Sequence, residues 1–237
     1  MRNMSSSVPP VIFVPGVASS PRAWDMQVAV LPERRCYAID HTHLDSIASM
    51  AALVLATTAE RFVLCGTSMG GYVALEVARQ APERIVQLIL CNTNAQADSD
   101  AKKTARQKDI IAGADAYRRA REGLDHYANF VAAENLHNTA LIERMRAISL
   151  AVGYETFVRH QQACMGRSAT LSCLPLLKMP VLLIGGAEDR ITPPEQQHEI
   201  ASLIPQAQLH ILPTCGHVAQ WEQAAMVNGI LRQFLVV

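Results

Sequence analysis

Three side chains able to share one proton-transfer task stand at three punctuated places in this chain. Ser68 lies inside Gly66-Thr67-Ser68-Met69-Gly70, Asp189 inside Gly185-Gly-Ala-Glu-Asp189-Arg-Ile-Thr-Pro-Pro194, and His217 inside Cys215-Gly216-His217. A serine hydroxyl is a poor nucleophile until a neighbouring imidazole takes its proton, and the imidazole must itself be oriented by a carboxylate. The chemistry such a set performs is covalent catalysis, with negative charge building on an oxygen beside the serine. Gly66 and Gly70 stand two positions either side of Ser68, where Cβ atoms would crowd a tight turn. If a helix starts at that turn, its free N–H groups and positive dipole end face the developing charge.

The elements needed to hold these residues follow from the hydrophobic pattern. Val11-Ile-Phe-Val14 is an apolar run ending at Pro15-Gly16, and Arg35-Cys-Tyr-Ala-Ile39 ends at Asp40. Residues 47–58 read as a helix. Arg61-Phe-Val-Leu-Cys65 reads as a buried strand leading into Gly66, and Tyr72, Val73, Leu75, Val77 and Ala78 place a helix after Ser68 to about Gln80. Ile85–Cys91, Val181–Ile184 and Leu209–Leu212 are further strands, and a last helix is expected from about Gln220 to Leu235. Short apolar strands alternating with helices predict an α/β fold with a mainly parallel, doubly wound sheet. Gly16, Ser68, Asp189 and His217 each follow a strand, so all four fall on the rim where such sheets carry their chemistry.

Residues 98–168 break this rhythm and read as several helices without a strand. Their charges, including Lys102, Lys103, Arg106, Arg118, Arg119 and Arg121, read as a solvated face. Their apolar residues, among them Ile110, Ile111, Tyr117, Tyr127, Phe130, Met145, Ile148 and Phe157, need a surface to pack on, and a helical cap over the strand ends would use them, with some lining a pocket. The expected organisation is therefore a core in two parts, 1–97 and 169–237, with a cap or lid at 98–168.

Composition narrows the class. Half of the 237 residues are hydrophobic and 18% are charged, which suits a packed globular chain. Lys+Arg and Asp+Glu are both 21, so nothing in the charge points to nucleic acid or an anionic membrane as partner. Six cysteines without a C-x-x-C pair suit a reducing compartment. Arg2 and the stretch Val8–Val14 loosely resemble a secretory leader, but Pro9, Pro10 and Pro15 interrupt it and the fold needs that strand. A cytoplasmic protein is expected.

On these residues the chain resembles the α/β-hydrolase superfamily. It shares the G-x-S-x-G turn, the order nucleophile, acid, histidine, a strand–acid–Pro segment, and a terminal G-H-x-x-x-x-E formed by Gly216, His217 and Glu222. The resemblance implies that Ser68 is the nucleophile, His217 the general base and acid, and Asp189 the carboxylate on His217. It implies an oxyanion hole made by the backbone N–H groups of Met69 and Val17. The family usually has His-Gly where this chain has Pro15-Gly16, so the loop carrying Val17 lacks its usual histidine. Neither a cofactor nor a metal is expected.

Other residues invite competing roles. Glu188 stands beside Asp189 as an alternative acid, and Asp40 reads as a turn residue or salt-bridge partner. His41-Thr-His43 could suggest metal ligands, but no third ligand or H-E-x-x-H is evident. His126, His137, His160, His198 and His210 read as surface or structural. Gly16 and Trp24, in the loop after the first strand, are candidate substrate contacts, with Trp24 also suited to packing; the apolar residues of 98–168 favour an uncharged acyl substrate, though Arg22 or an arginine of that segment could admit a carboxylate.

The favoured chemistry is acyl transfer to water from a small or medium carboxylic ester, thioester or lactone. Ser68 speaks against the haloalkane dehalogenase and epoxide hydrolase branches, which carry aspartate there. C–C bond hydrolysis, haloperoxidase or perhydrolase activity and hydroxynitrile lysis would use the same three residues. A reading of another class is a non-catalytic binding protein on this scaffold. Oligomeric state is left open.

Overall fold

The computed structural model describes residues 8–235; Arg2, part of the leader-like reading, lies outside them. Six strands, β1 (Val11–Val14), β2 (Cys36–Ala38), β3 (Phe62–Thr67), β4 (Ile85–Cys91), β5 (Val181–Gly186) and β6 (Ala207–Leu212), form one sheet. Its order is β2-β1-β3-β4-β5-β6 and every pairing is parallel. The inner strands β1, β3, β4 and β5 are largely apolar because both faces are covered, whereas the edge strand β6 carries Gln208 and His210. Ile12, Val14, Phe62, Leu64, Leu88, Leu90, Val181 and Leu183 point into one core layer, which includes the helices α2 (Ile47–Ala56), α3 (Met69–Gln80) and α8 (Pro194–Leu203). The alternate residues Val11, Phe13, Val63, Cys65, Ile89, Cys91, Leu182 and Ile184 point into the other. That second layer is closed by a turn at Pro21–Trp24 and by α9 (Ala219–Glu222) and α10 (Ala224–Leu235), with the short α1 (Asp25–Val28) beside them.

From β1 the chain moves outward to β2, and from β3 it winds the other way to β4, β5 and β6. The crevice between the carboxyl ends of β1 and β3 is thus a topological switch point, where doubly wound sheets bind ligands. The loop after β1 and the turn after β3 meet there.

Between β4 and β5 lie four helices, α4 (Asp100–Ile111), α5 (Gly113–Glu122), α6 (Thr139–Val152) and α7 (Tyr154–Gly166). Gly113, at φ 84°, breaks α4 from α5. Tyr127, Val131, Leu141, Ile142 and Met145 pack on Val218, and Tyr117 and Phe157 pack on Ala18. Ile111 departs from the expected packing and is 82% exposed, since α4 buries none of its residues.

The last helix is also not continuous. It breaks at Gln223 between α9 and α10, where the Gln223 side chain donates to the Pro213 carbonyl and the Glu222 carboxylate is drawn back to the Gly216 N–H at 2.8 Å. Among the described residues no helix is long and apolar enough to cross a membrane.

Candidate active site

Ser68 occupies the single residue between β3 and α3, at φ 53° and ψ −121°, a conformation unusual for a side chain with a Cβ. The close approach of helix to strand explains the flanking glycines. A Cβ on Gly66 would lie 2.2 Å from the Gly70 carbonyl oxygen, and one on Gly70 would lie 2.1 Å from the Val14 carbonyl oxygen.

The three residues singled out in the sequence come together. Ser68 Oγ lies 2.9 Å from His217 Nε2, and His217 Nδ1 lies 2.9 Å and 3.0 Å from the two Asp189 carboxylate oxygens. Asp189 Oδ1 accepts the N–H groups of Ile191 and Thr192, while Oδ2 accepts Asn92 Nδ2 at 2.9 Å and Thr192 Oγ1 at 2.7 Å. Burial alone would raise the Asp189 pKa. The His217 ring and the donors from Thr192 and Asn92 outweigh it and hold the carboxyl down at about 2. An ionised carboxylate fixes His217 with its proton on Nδ1, leaving Nε2 to accept from Ser68. Glu188 is elsewhere, accepting the Ala133 N–H at 3.1 Å.

Asn92 is a residue that sequence reasoning missed. It follows β4 at φ 44°, and its amide also donates to the Gly216 carbonyl at 3.0 Å. A polar Asn92-Thr93-Asn94 run at the end of an apolar strand was the available signal. Glu222 supports His217 from the other side. Its oxygens accept N–H groups of Gly216 and Ala132 and the Asn135 amide, and His217 N–H donates to the Phe130 carbonyl. The histidine loop is thereby tied to the helical segment between β4 and β5.

The loop after β1 lies against the serine: a Cβ on Gly16 would be 3.2 Å from Ser68 Cβ. Among the described residues neither the Val17 nor the Met69 N–H has a hydrogen-bond acceptor, and Met69 opens α3 directly after Ser68. Two other histidines hold this loop. The Pro15 carbonyl can only accept, so His41 Nε2–H donates to it at 3.0 Å. His41 Nδ1 then accepts from His160 Nε2–H at 3.2 Å, and His160 Nδ1 accepts the Ala18 N–H at 3.1 Å. Every proton in this line is assigned with both rings neutral. His41 pairs with His160 rather than with His43.

Burial lowers the pKa of His41. Burial and the His41 ring lower His160 to about 3, and burial and the Arg121 charge lower His126 to about 4. The unfolded chain takes up these protons near pH 6.5, the folded protein only at lower pH, so stability present above pH 6.5 is lost as pH falls toward 4. His160→Gln is expected to flatten this dependence by about one proton. Urea midpoints measured from pH 4 to 7.5 check it, and an unchanged slope contradicts the neutral pair.

These loops and α5, α6 and α7 enclose a cavity of about 500 Å³. Gly16, Val17, Ser68 and His217 line its floor; Tyr117, Phe130, Ile148 and Phe157 line its helical walls. Trp24 is not among them: it is fully buried in the layer beneath, its ring 5.1 Å from Phe13, and the tryptophan at the cavity is Trp221. Arg22 is also outside the cavity, largely exposed and 3.9 Å from Asp25, whereas Arg106 and Arg121 line it. His126, read as surface or structural, is part of the cavity wall. Among the described residues no cluster of three or more His, Cys, Asp or Glu is arranged to hold a metal.

Residues 9–224 match the family described as alpha/beta hydrolase fold. Among curated proteins, a 2-hydroxy-6-oxononadienedioate/2-hydroxy-6-oxononatrienedioate hydrolase of a Pseudomonas species is 30% identical over 184 residues. That match covers 74% of this chain but only 63% of the relative's length. A pimeloyl-(acyl-carrier protein) methyl ester esterase of Nitrosomonas europaea is 26% identical over 230 residues, 88% of each chain. Among solved structures, a thermophilic esterase from Thermogutta terrifontis is similar with a TM-score of 0.83 at 28% identity, covering 96% of this chain and 89% of that one. The enol-lactonase of Burkholderia xenovorans LB400 shares the fold, with a TM-score of 0.86 at 21% identity over 99% of this chain and 94% of its own.

Proposed function

The chain belongs to the α/β-hydrolase fold family, and on that premise we propose that it hydrolyses a small or medium carboxylic ester, thioester or lactone through an acyl-enzyme on Ser68. The observation that carries this reading is the unbroken line from Asp189 through His217 to Ser68, opening into the cavity. Ser68 Oγ attacks the acyl carbonyl as His217 Nε2 takes its proton. The oxyanion of the tetrahedral intermediate is held by the N–H groups of Met69 and Val17, each such donor typically worth about 3–4 kcal/mol to the transition state. His217 returns the proton to the leaving oxygen or sulfur. It then deprotonates a water that attacks the acyl-enzyme, and Ser68 recovers its proton as the acid departs.

The helical segment 98–168 serves in this reading as a cap that shields the acyl group from bulk water. The cavity volume suits a small-molecule substrate. The balanced charge, 21 Lys+Arg against 21 Asp+Glu, favours a small-molecule partner over nucleic acid or an anionic membrane. Six free cysteines support a reducing, cytoplasmic setting.

The test is a turnover screen across esters of increasing acyl length, lactones and thioesters, with Ser68→Ala as the blank. One of these classes is expected to be hydrolysed by the wild type alone. Turnover of none of them, with cleavage of a 2-hydroxy-6-oxo acid like the one named for the Pseudomonas relative, would replace acyl transfer by that second reading.

A further inference from the structure

We infer that Arg121 forms an anion-binding subsite in the cavity, so that the substrate carries a carboxylate in addition to the bond that is cleaved. This rests on the reading of Ser68 as the nucleophile of that same cavity.

Arg121 lies in the last turn of α5, is 6% exposed, and lines the cavity that holds Ser68 and His217. Its position is fixed. The guanidinium carbon lies 3.4 Å from the centroid of the Tyr117 ring, Nε donates to Ser149 Oγ at 2.5 Å, and Nη1 donates to the Tyr117 carbonyl at 3.0 Å. Its own carbonyl accepts from Tyr127 and Arg146, which clamps the turn. Two of its five N–H donors are thus engaged, and Nη2 has no acceptor among the described residues.

No carboxylate stands within ion-pair distance of Arg121 among the described residues. The neighbouring charges do not supply one. Arg106, which also lines the cavity, and the buried Arg167 share a single carboxylate, Asp98, at 2.6 Å and 2.7 Å. The acidic residue of the lining, Asp109, is exposed to solvent and more than 4 Å from both cavity arginines, so it attracts them at a distance and forms no ion pair with either. His126, on the same wall, is kept neutral by burial and by Arg121 itself. The buried Arg167 and the half-buried Arg106 thus use up the one buried carboxylate nearby, Asp98, and the buried Arg121 is left without an ion-pair partner among the described residues.

A cation taken out of water is costly unless an anion answers it. The free edge of Arg121 offers a bidentate fork that matches a carboxylate. Solely structural use of the residue would be served by the stack on Tyr117 and would leave substrate choice indifferent to charge.

The experiment compares the monomethyl and dimethyl esters of succinate, glutarate and adipate in wild type, Arg121→Gln and Arg121→Lys, each shown folded by circular dichroism. The quantity read is the ratio of kcat/KM for the anionic half-ester to that for the neutral diester. Wild type is expected to favour one half-ester. Arg121→Gln is expected to lower that ratio by roughly 50-fold, and Arg121→Lys by less, since it keeps the charge but not the fork. A ratio that Arg121→Gln leaves unmoved overturns the subsite. Calorimetry with free glutarate separates this from the hydrolytic reading. Binding to Ser68→Ala protein that vanishes in Ser68→Ala/Arg121→Gln supports the subsite even if no ester is turned over. Binding absent from Ser68→Ala, or equal in the two proteins, overturns it. If Arg121→Gln does not fold, the same two measurements on Arg121→Lys decide, with an unchanged ratio and unchanged glutarate binding counting against the subsite.

Discussion

Ser68→Ala is expected to lower kcat by roughly 10⁴-fold or more while the protein stays folded. The size follows from the arrangement. Ser68 Oγ is the atom within hydrogen-bond reach of His217 Nε2, and without it His217 has only water to activate. Residual rate then comes from the oxyanion donors and from substrate binding. Stability should change little, because alanine retains the Cβ and therefore the same backbone strain at φ 53°. The check is kcat on the best substrate of the ester screen, together with a thermal midpoint. Turnover close to wild type would move the nucleophile to another residue.

Gly70→Ala is expected to be a strongly damaging single-methyl change in the site. The added Cβ would meet the Val14 carbonyl oxygen at 2.1 Å and the Pro15 carbonyl oxygen at 2.7 Å, both backbone atoms that no rotamer change can move. Either α3 lifts from β1 or the Pro15 loop is pushed outward, and each displaces Ser68 relative to Val17. A cost of about 3 kcal/mol or more is expected, which for a domain of this size lowers Tm by roughly 6–12 °C. Activity should fall with it. Gly229→Ala is the control: in the interior of α10 its Cβ meets nothing within 4 Å, and relief of glycine's backbone entropy should leave stability equal or raised by up to about 1 kcal/mol. Urea midpoints for the two variants check the contrast. Equal effects would mean that the turn around Ser68 tolerates a side chain.

The parallel sheet was readable because a strand covered on both faces must be largely apolar, and β1, β3 and β5 are, as is β4 apart from Gln87, whose amide donates to the Phe234 carbonyl. Ser68, Asp189 and His217 were readable because each follows such a strand with local punctuation of glycine or proline. What escaped is held by contacts distant in sequence. His41 and His160 stand 119 residues apart, and no local pattern tells that together they hold the Pro15–Ala18 loop. Trp24 and Trp221 exchange places for the same reason: which tryptophan meets the cavity depends on how Pro21–Trp24 packs beneath β1 and on the Trp221 indole bond to the Ala23 carbonyl. Arg121 read as one charge of a solvated helix face, and only unspecifically as an arginine of the segment that could admit a carboxylate, because α5 shows its burial only once Tyr117, Ser149 and Phe157 surround it. The break at Gln223 likewise depends on Glu222 reaching back to Gly216, a tertiary contact that helix periodicity does not record.

A fluorophosphonate probe tests whether Ser68 is an activated nucleophile without knowledge of the substrate. Folded wild-type protein treated with the probe and mapped by mass spectrometry should carry one adduct, on Ser68. Ser68→Ala and urea-unfolded protein should carry none. An unlabelled Ser68 in folded wild type, or an adduct formed equally well after unfolding, would show that Ser68 is not activated by His217 and Asp189.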